Sequence, residues 1–65
     1  MPVFNVNDMT CGHCAGVITK AVKEVDAHAR VDIQIAEKRV AIESTVAAQR
    51  FAEAIEEAGY TPVAV

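Results

Sequence analysis

The sequence predicts an α+β fold, in which a four-stranded antiparallel sheet carries two helices on one of its faces. Apolar residues alternate with polar ones in four short stretches, as in half-buried strands, and recur at helical spacing in two longer stretches. These stretches follow one another in the order β-α-β-β-α-β. The 65 residues, 1–65, are expected to form one domain, near the lower size limit for a core that is stable on its own.

The first half of the chain contains a strand, a helix and a second strand. Within residues 3–7, apolar residues alternate with asparagine from Phe4 onward, which indicates a half-buried strand. Over residues 13–25 the apolar positions form one stripe of an amphipathic helix. Residues 26–29 end this helix without a glycine, so we expect a frayed or irregular stop. Residues 31–35 form the second strand.

The second half begins with a hairpin and a second helix. Residues 40–43 form the third strand, joined to the second by a short connection. Ser44 or Thr45 is expected to be the N-cap of the second helix, because their hydroxyls can accept hydrogen bonds from its first N–H groups. The apolar stripe of that helix runs over residues 47–58, and Gly59 is the expected left-handed residue just past its C-terminus.

The last strand and the crossovers define the topology. Residues 60–65 form a strand that contains Pro62, which has no N–H to donate and therefore requires an edge position. Right-handed crossovers place both helices on one face of the sheet. The expected fold is thus ferredoxin-like, βαββαβ, with strand order 4-1-3-2 and the Pro62 strand at an edge.

The segment Met9–Cys14 holds both cysteines and lies where the first strand gives way to the first helix. Thiolates select soft metal ions, whereas a structural zinc site requires four ligands. The other obvious donors are His13, His28 and carboxylates, and His28 is expected about 20 Å away along the helix. Two thiolates alone suit a low-coordinate d¹⁰ ion, first of all Cu(I), with Ag(I) and Hg(II) as mimics.

Cys11 and Cys14 are the predicted metal ligands, and they are not equivalent. Cys14 is expected in the first turn of the helix, where unpaired N–H groups and the helix dipole favour the thiolate. Cys11 is expected in the preceding loop and should be the more exposed of the two. An ion held there is open to attack by the thiolate of another protein.

The chain resembles the heavy-metal-associated domain family, and within it the small bacterial copper chaperones. The resemblance rests on the segment Met9–Cys14, on Ala15 and on Gly59-Tyr60, and it covers nearly the whole chain. It implies a non-enzymatic Cu(I) metallochaperone whose acceptor is the metal-binding domain of a copper-transporting P-type ATPase, with a copper-responsive regulator as a further partner. The protein is expected to be monomeric without metal, and a metal-bridged dimer is the alternative when Cu(I) is bound.

Five neighbouring residues have expected roles under this resemblance. Met9 is expected to pack beneath the loop in preference to acting as a third ligand. Thr10 favours Cu(I) over Zn(II), because zinc-exporting relatives often carry aspartate there. His13 is a solvated loop residue, or it tunes the site or joins it when two molecules share copper. Tyr60 is expected to pack against the site in preference to being only a core residue. Asp8 stands where glycine is common, which should make the loop less flexible.

Composition limits the partners and the location. A net charge of −3 without a basic cluster argues against nucleic acid. No apolar run approaches the roughly 20 residues that span a bilayer, so no membrane insertion is expected. The N-terminus lacks the features of a signal peptide. We therefore expect a cytoplasmic location, where thiols are kept reduced.

Three alternatives compete with a free copper chaperone. The segment Cys11–Cys14 matches the active motif of disulfide isomerases, but a thioredoxin fold is larger and has tryptophan where this chain has Thr10. A mercury-binding protein could use the same fold, although such proteins are usually exported. The chain could also be one metal-binding module of a heavy-metal ATPase. Its start at Met1 and its end just after the last strand favour a free chaperone.

Overall fold

The structure, a computed structural model, describes residues 2–10 and 12–65. Along the chain lie strand β1, helix α1, strands β2 and β3, helix α2 and strand β4. Their bounds, in that order, are Val3–Val6, Gly12–Val25, Arg30–Gln34, Arg39–Glu43, Ala48–Glu57 and Pro62–Ala64. This element order confirms the predicted βαββαβ fold, with boundaries that shift by one to two residues at most strand ends.

The strands form one antiparallel sheet in the order β2-β3-β1-β4, which is the predicted order 4-1-3-2 read from the other edge. Strand β1 is central: Phe4 lies opposite Val40 of β3 on one side and opposite Ala64 of β4 on the other. Pro62 lies opposite Val6, in the edge strand β4. The predicted edge position of Pro62 is confirmed.

The core lies between one face of the sheet and the two helices. Directly paired strand residues point to the same face, so alternate positions of the central strands β1 and β3 line the core. Its buried members are Phe4, Val6, Met9, Ile18, Val22, Ala29, Val40, Ile42, Phe51 and Ile55. Within the described part of the chain, no helix has the length and apolar character needed to cross a membrane.

Helix α1 ends in a hydrogen-bonded turn without glycine, which is the irregular stop and not the frayed end of the two that were predicted. The Asp26 carboxylate accepts the His28 N–H at Oδ1 (3.0 Å) and the Ser44 hydroxyl at Oδ2 (2.6 Å). Lys23 Nζ donates to the Ala29 carbonyl (2.6 Å) across the same turn. The hydrogen bond from Ser44, and next that from the His28 N–H, lower the pKa of Asp26 below its ordinary 3.8. An Asx turn therefore ends the helix where no glycine is available.

The prediction that Ser44 or Thr45 caps α2 was wrong. Ser44 Oγ accepts the Val46 N–H (3.1 Å) while it donates to Asp26, so its hydroxyl is used before the helix begins. The N-cap is Ala47, in an extended conformation, and it makes no side-chain capping bond. The serine thus fastens the β3–α2 connection to the end of α1 and does not cap α2.

Candidate metal centre

The candidate site begins where β1 ends. The Met9 N–H donates to the Val6 carbonyl (3.0 Å) and closes a turn directly after the strand. The Met9 side chain is fully buried in the core, whereas the neighbouring Thr10 is exposed. The buried side chain of Met9 therefore anchors this segment to the core, while Thr10 lies at the surface.

Cys14 is the third residue of α1, which begins at Gly12, one residue earlier than predicted. The Cys14 side chain is half-buried and packs against the core. His13 is exposed and lies in the first turn of the helix, as the predicted range 13–25 implied, although its role was described as that of a solvated loop residue. Cys11, the other predicted ligand, lies outside the described residues. Cys14 thus lies in the first turn of α1, where the positive end of the helix dipole favours the thiolate form.

A second segment, Gly59–Thr61, is positioned by the end of α2. The Gly59 N–H donates to the Glu56 carbonyl (3.0 Å) and the Tyr60 N–H to the Ile55 carbonyl (3.2 Å), the two bonds of a Schellman motif. Gly59 has φ of 99°, which confirms the predicted left-handed residue. This turn directs the chain back over the core, against which the half-buried Tyr60 packs.

The fold brings the two segments together. Because Val6 lies opposite Pro62, the residues that follow β1 are neighbours of those that precede β4. The Thr61 N–H donates to Asp8 Oδ1 (3.3 Å) and joins the segments directly. Sequence reasoning expected the two loops to be neighbours but missed this bond, although the aspartate in place of a common glycine was a signal for it.

The described donors do not form a site of high coordination number. Among residues 2–10 and 12–65, no group of three or more His, Cys, Asp or Glu side chains lies close enough together to hold a metal ion. His28 lies beyond the far end of α1, whose 14 residues span about 21 Å. It is exposed there, as expected, and too distant to join Cys14 on one ion.

The groove between the two helices is separate from the described residues of the candidate segment. A groove of about 470 Å³ lies between α1 and α2, with Lys20, Glu24, Arg50 and Glu57 among its lining residues. None of the described residues of the segment Met9–Cys14 lines it. The exposure of Thr10, Gly12 and His13 instead suits contact with another macromolecule.

Comparison with known proteins extends over nearly the whole chain. Residues 3–61 match the model of the heavy-metal-associated domain. The copper chaperone CopZ of Staphylococcus aureus is 31% identical over 64 residues, with 94% of each chain covered. The crystal structure of a gold-binding protein has 34% identity and a TM-score of 0.96 over 100% of both chains. A Cu1, trimeric form of the copper chaperone Atx1 from Synechocystis has 34% identity and a TM-score of 0.91, over 94% of this chain and 97% of that one.

Proposed function

This chain belongs to the heavy-metal-associated domain family, and from that membership we propose that it is a cytoplasmic Cu(I) metallochaperone. It carries the ion on Cys11 and Cys14 and passes it by thiolate exchange to the metal-binding domain of a copper-transporting P-type ATPase. The observation that carries the proposal is the position of Cys14, half-buried in the first turn of α1 and next to exposed residues. The family of copper chaperones to which its relatives belong is not enzymatic.

The choice of Cu(I) follows from the donors. Two thiolates match a soft d¹⁰ ion, whereas structural Zn(II) sites usually have four ligands. The similarity to the copper chaperones CopZ and Atx1 supports the same metal. A cytoplasmic location agrees with this chemistry, because reduced thiols are required.

Transfer proceeds by ligand exchange without a change in oxidation state. A thiolate of the acceptor would bond to the exposed ion and give a three-coordinate intermediate, from which one Cu–S bond to this chain would break. A second exchange, with the other thiolate of the acceptor, would break the remaining Cu–S bond to this chain. The same chemistry exists on both sides, so the equilibrium constant should lie within about a hundredfold of unity, roughly 3 kcal/mol. The exposed charges of Asp8 and Lys20 would affect the rate of encounter more than this equilibrium.

Anaerobic titration tests the metal assignment. Cu(I), Ag(I) and Zn(II) are each added in competition with a chelator of known affinity. We expect tight binding of Cu(I) and Ag(I), far weaker binding of Zn(II), and loss of tight Cu(I) binding in Cys11→Ser and Cys14→Ser. Ala15→Ser, in the same turn of α1, keeps both thiols and should bind normally. X-ray absorption that shows a four-coordinate ion with several N or O donors would contradict the proposal.

A transfer experiment tests the chaperone activity itself. The Cu(I)-loaded protein is mixed with a soluble Met-x-Cys-x-x-Cys domain of a copper ATPase, and the two are separated by ion exchange. Copper should appear on both proteins, and the same distribution should be reached from either direction. Copper that stays on this chain for hours, with both proteins reduced, would indicate storage or sensing.

One observation favours a second candidate function. The similarity to a gold-binding protein at a TM-score of 0.96 raises the prospect that another soft ion, such as Hg(II), is the physiological cargo. Competition between Cu(I) and Hg(II) in the same titration measures the preference, and induction of the gene by one metal and not the other decides it.

The proposal also includes the assembly state. We expect a monomer without metal, and a dimer bridged by Cu(I) as an alternative loaded form, in which the exposed His13 could join the shared ion. Sedimentation of the metal-free and loaded protein measures both states. A copper-responsive regulator is a further acceptor to examine in the transfer experiment.

A further inference from the structure

We propose that Asp8 is a positioning residue. It holds the segment Gly59–Thr61 (the Tyr60 segment) against the segment Met9–Cys14 (the proposed metal-binding segment) and thereby slows release of the ion. The proposal rests on the Cu(I)-carrying function proposed above. Asp8 precedes both cysteines in the chain and is exposed. Its carboxylate oxygen Oδ1 accepts the Thr61 N–H across 3.3 Å.

Asp8 is itself held in a fixed place. It lies in the turn after β1, which the bond from the Met9 N–H to the Val6 carbonyl (3.0 Å) closes. Met9, which directly follows Asp8, is fully buried and anchors this part of the chain in the core. A short side chain on so restricted a backbone can serve as a stable acceptor, whereas glycine at this position offers none.

The segment Gly59–Thr61 connects the end of α2 to the start of β4 and is held at both ends. At one end the Schellman motif ties Gly59 and Tyr60 to α2, and at the other Pro62 pairs with Val6 of β1. Thr61 lies between these two anchors and directly follows Tyr60. The hydrogen bond from the Thr61 N–H to Asp8 therefore restrains the peptide unit that joins Tyr60 to Thr61.

Loss of this restraint should affect metal release more than folding. The Asp8–Thr61 bond is exposed, so its removal leaves no buried polar group without a partner. A looser Tyr60 segment would give an incoming thiolate or chelator easier access to the ion. Release should become faster by about two- to tenfold, the range that corresponds to one hydrogen bond of ordinary strength.

Three variants separate the hydrogen bond from the charge. Asp8→Ala removes both, and Asp8→Asn keeps an oxygen acceptor of the same reach without the charge. Asp32→Ala is the matched control, because Asp32 is an exposed aspartate of β2, at the opposite edge of the sheet from β4. For each protein we would measure amide hydrogen exchange at Thr61 without metal and the rate of Cu(I) transfer to a chromophoric chelator.

The proposal expects faster Thr61 exchange and faster Cu(I) release in Asp8→Ala, with Asp8→Asn and Asp32→Ala close to the unaltered protein. Equal release rates in Asp8→Ala and the unaltered protein would overturn it. So would an Asp8→Asn variant as fast as Asp8→Ala, since charge alone would then be responsible. If the unaltered protein binds no Cu(I), the proposed function fails and this inference fails with it. Binding by the unaltered protein is therefore measured first, which distinguishes the two failures.

Discussion

Met9 tests how the proposed metal-binding segment Met9–Cys14 is built. If Met9 packs in the core, replacement by leucine should leave Cu(I) affinity unchanged, whereas if Met9 is a metal ligand, the same replacement should lower that affinity. Its side chain is fully buried and belongs to the core cluster that also contains Phe4 and Ile18. Met9→Leu keeps the apolar volume and removes the sulfur, whereas Met9→Ala removes most of the side chain. If Met9 only packs, Cu(I) affinity should survive the first change and stability should suffer from the second.

The burial of Met9 sets the expected magnitudes. Truncation of a fully buried methionine to alanine costs about 2–5 kcal/mol, and a leucine replacement costs less than about 1.5 kcal/mol. In a domain of this size each kcal/mol lowers the thermal midpoint by about 4–8 °C. Met9→Ala should therefore lower the midpoint by at least about 8 °C. Val63→Ala, at a valine 52% exposed, is the matched truncation and should change it little.

Two measurements on the same variants check this reasoning. Thermal unfolding followed by circular dichroism of the metal-free proteins gives the midpoints, and competition with a Cu(I) chelator gives the affinities. Met9→Leu should bind Cu(I) as tightly as the unaltered protein. A large loss of Cu(I) affinity in Met9→Leu with an unchanged midpoint would refute the packing role and identify the sulfur as a ligand.

Three further predictions concern the metal, Tyr60 and the end of α1. Saturating Cu(I) should raise the thermal midpoint, because the ion binds only the folded form; equal midpoints would show that binding and folding are not coupled. Tyr60→Ala should speed Cu(I) loss to a chelator and keep the fold if the ring packs against the site, whereas a lowered midpoint with unchanged release would indicate a purely structural role. The pKa of Asp26 is lowered in the folded state, so its stabilising effect is present above the ordinary value of 3.8 and is lost as the pH falls through the lower folded value. Ser44→Ala should therefore destabilise the protein at neutral pH and less in strong acid, and NMR titration should show the Asp26 pKa raised towards 3.8.

The periodicity of apolar residues was sufficient to predict the order of the elements, and the handedness of the crossovers then gave the order of the strands. Alternation specified the faces of the central strands, and Pro62 independently required the edge that the topology assigned to it. Gly59 could be predicted as the end of α2, because only glycine adopts its φ of 99° without strain. These features depend on local chemistry that the sequence displays directly.

The errors have a common physical cause. Ser44 was expected to cap the helix that follows it, but its hydroxyl bonds Asp26, 18 residues earlier in the chain. The same contact orders the end of α1, for which a frayed or an irregular stop was expected. The hydrogen bond between Asp8 and Thr61 also joins residues that lie 53 positions apart in the sequence. A polar side chain with several local partners can be assigned only when its distant partner is known. The metal-ligand assignment of Cys11 and Cys14 stays a prediction, which the titration described above tests.

The edge strand β4 has a consequence for contacts between copies of the protein. The Val65 N–H donates to the Val3 carbonyl of β1, and strand N–H groups point alternately to either side. The nitrogens of Pro62 and Ala64 therefore face outward, and proline has no hydrogen to offer. The three-residue strand leaves one outward N–H, at Ala64, which is too few to start a ladder with another chain. The edge strand β4 thus offers a second copy of the chain few hydrogen-bond donors with which to extend the sheet.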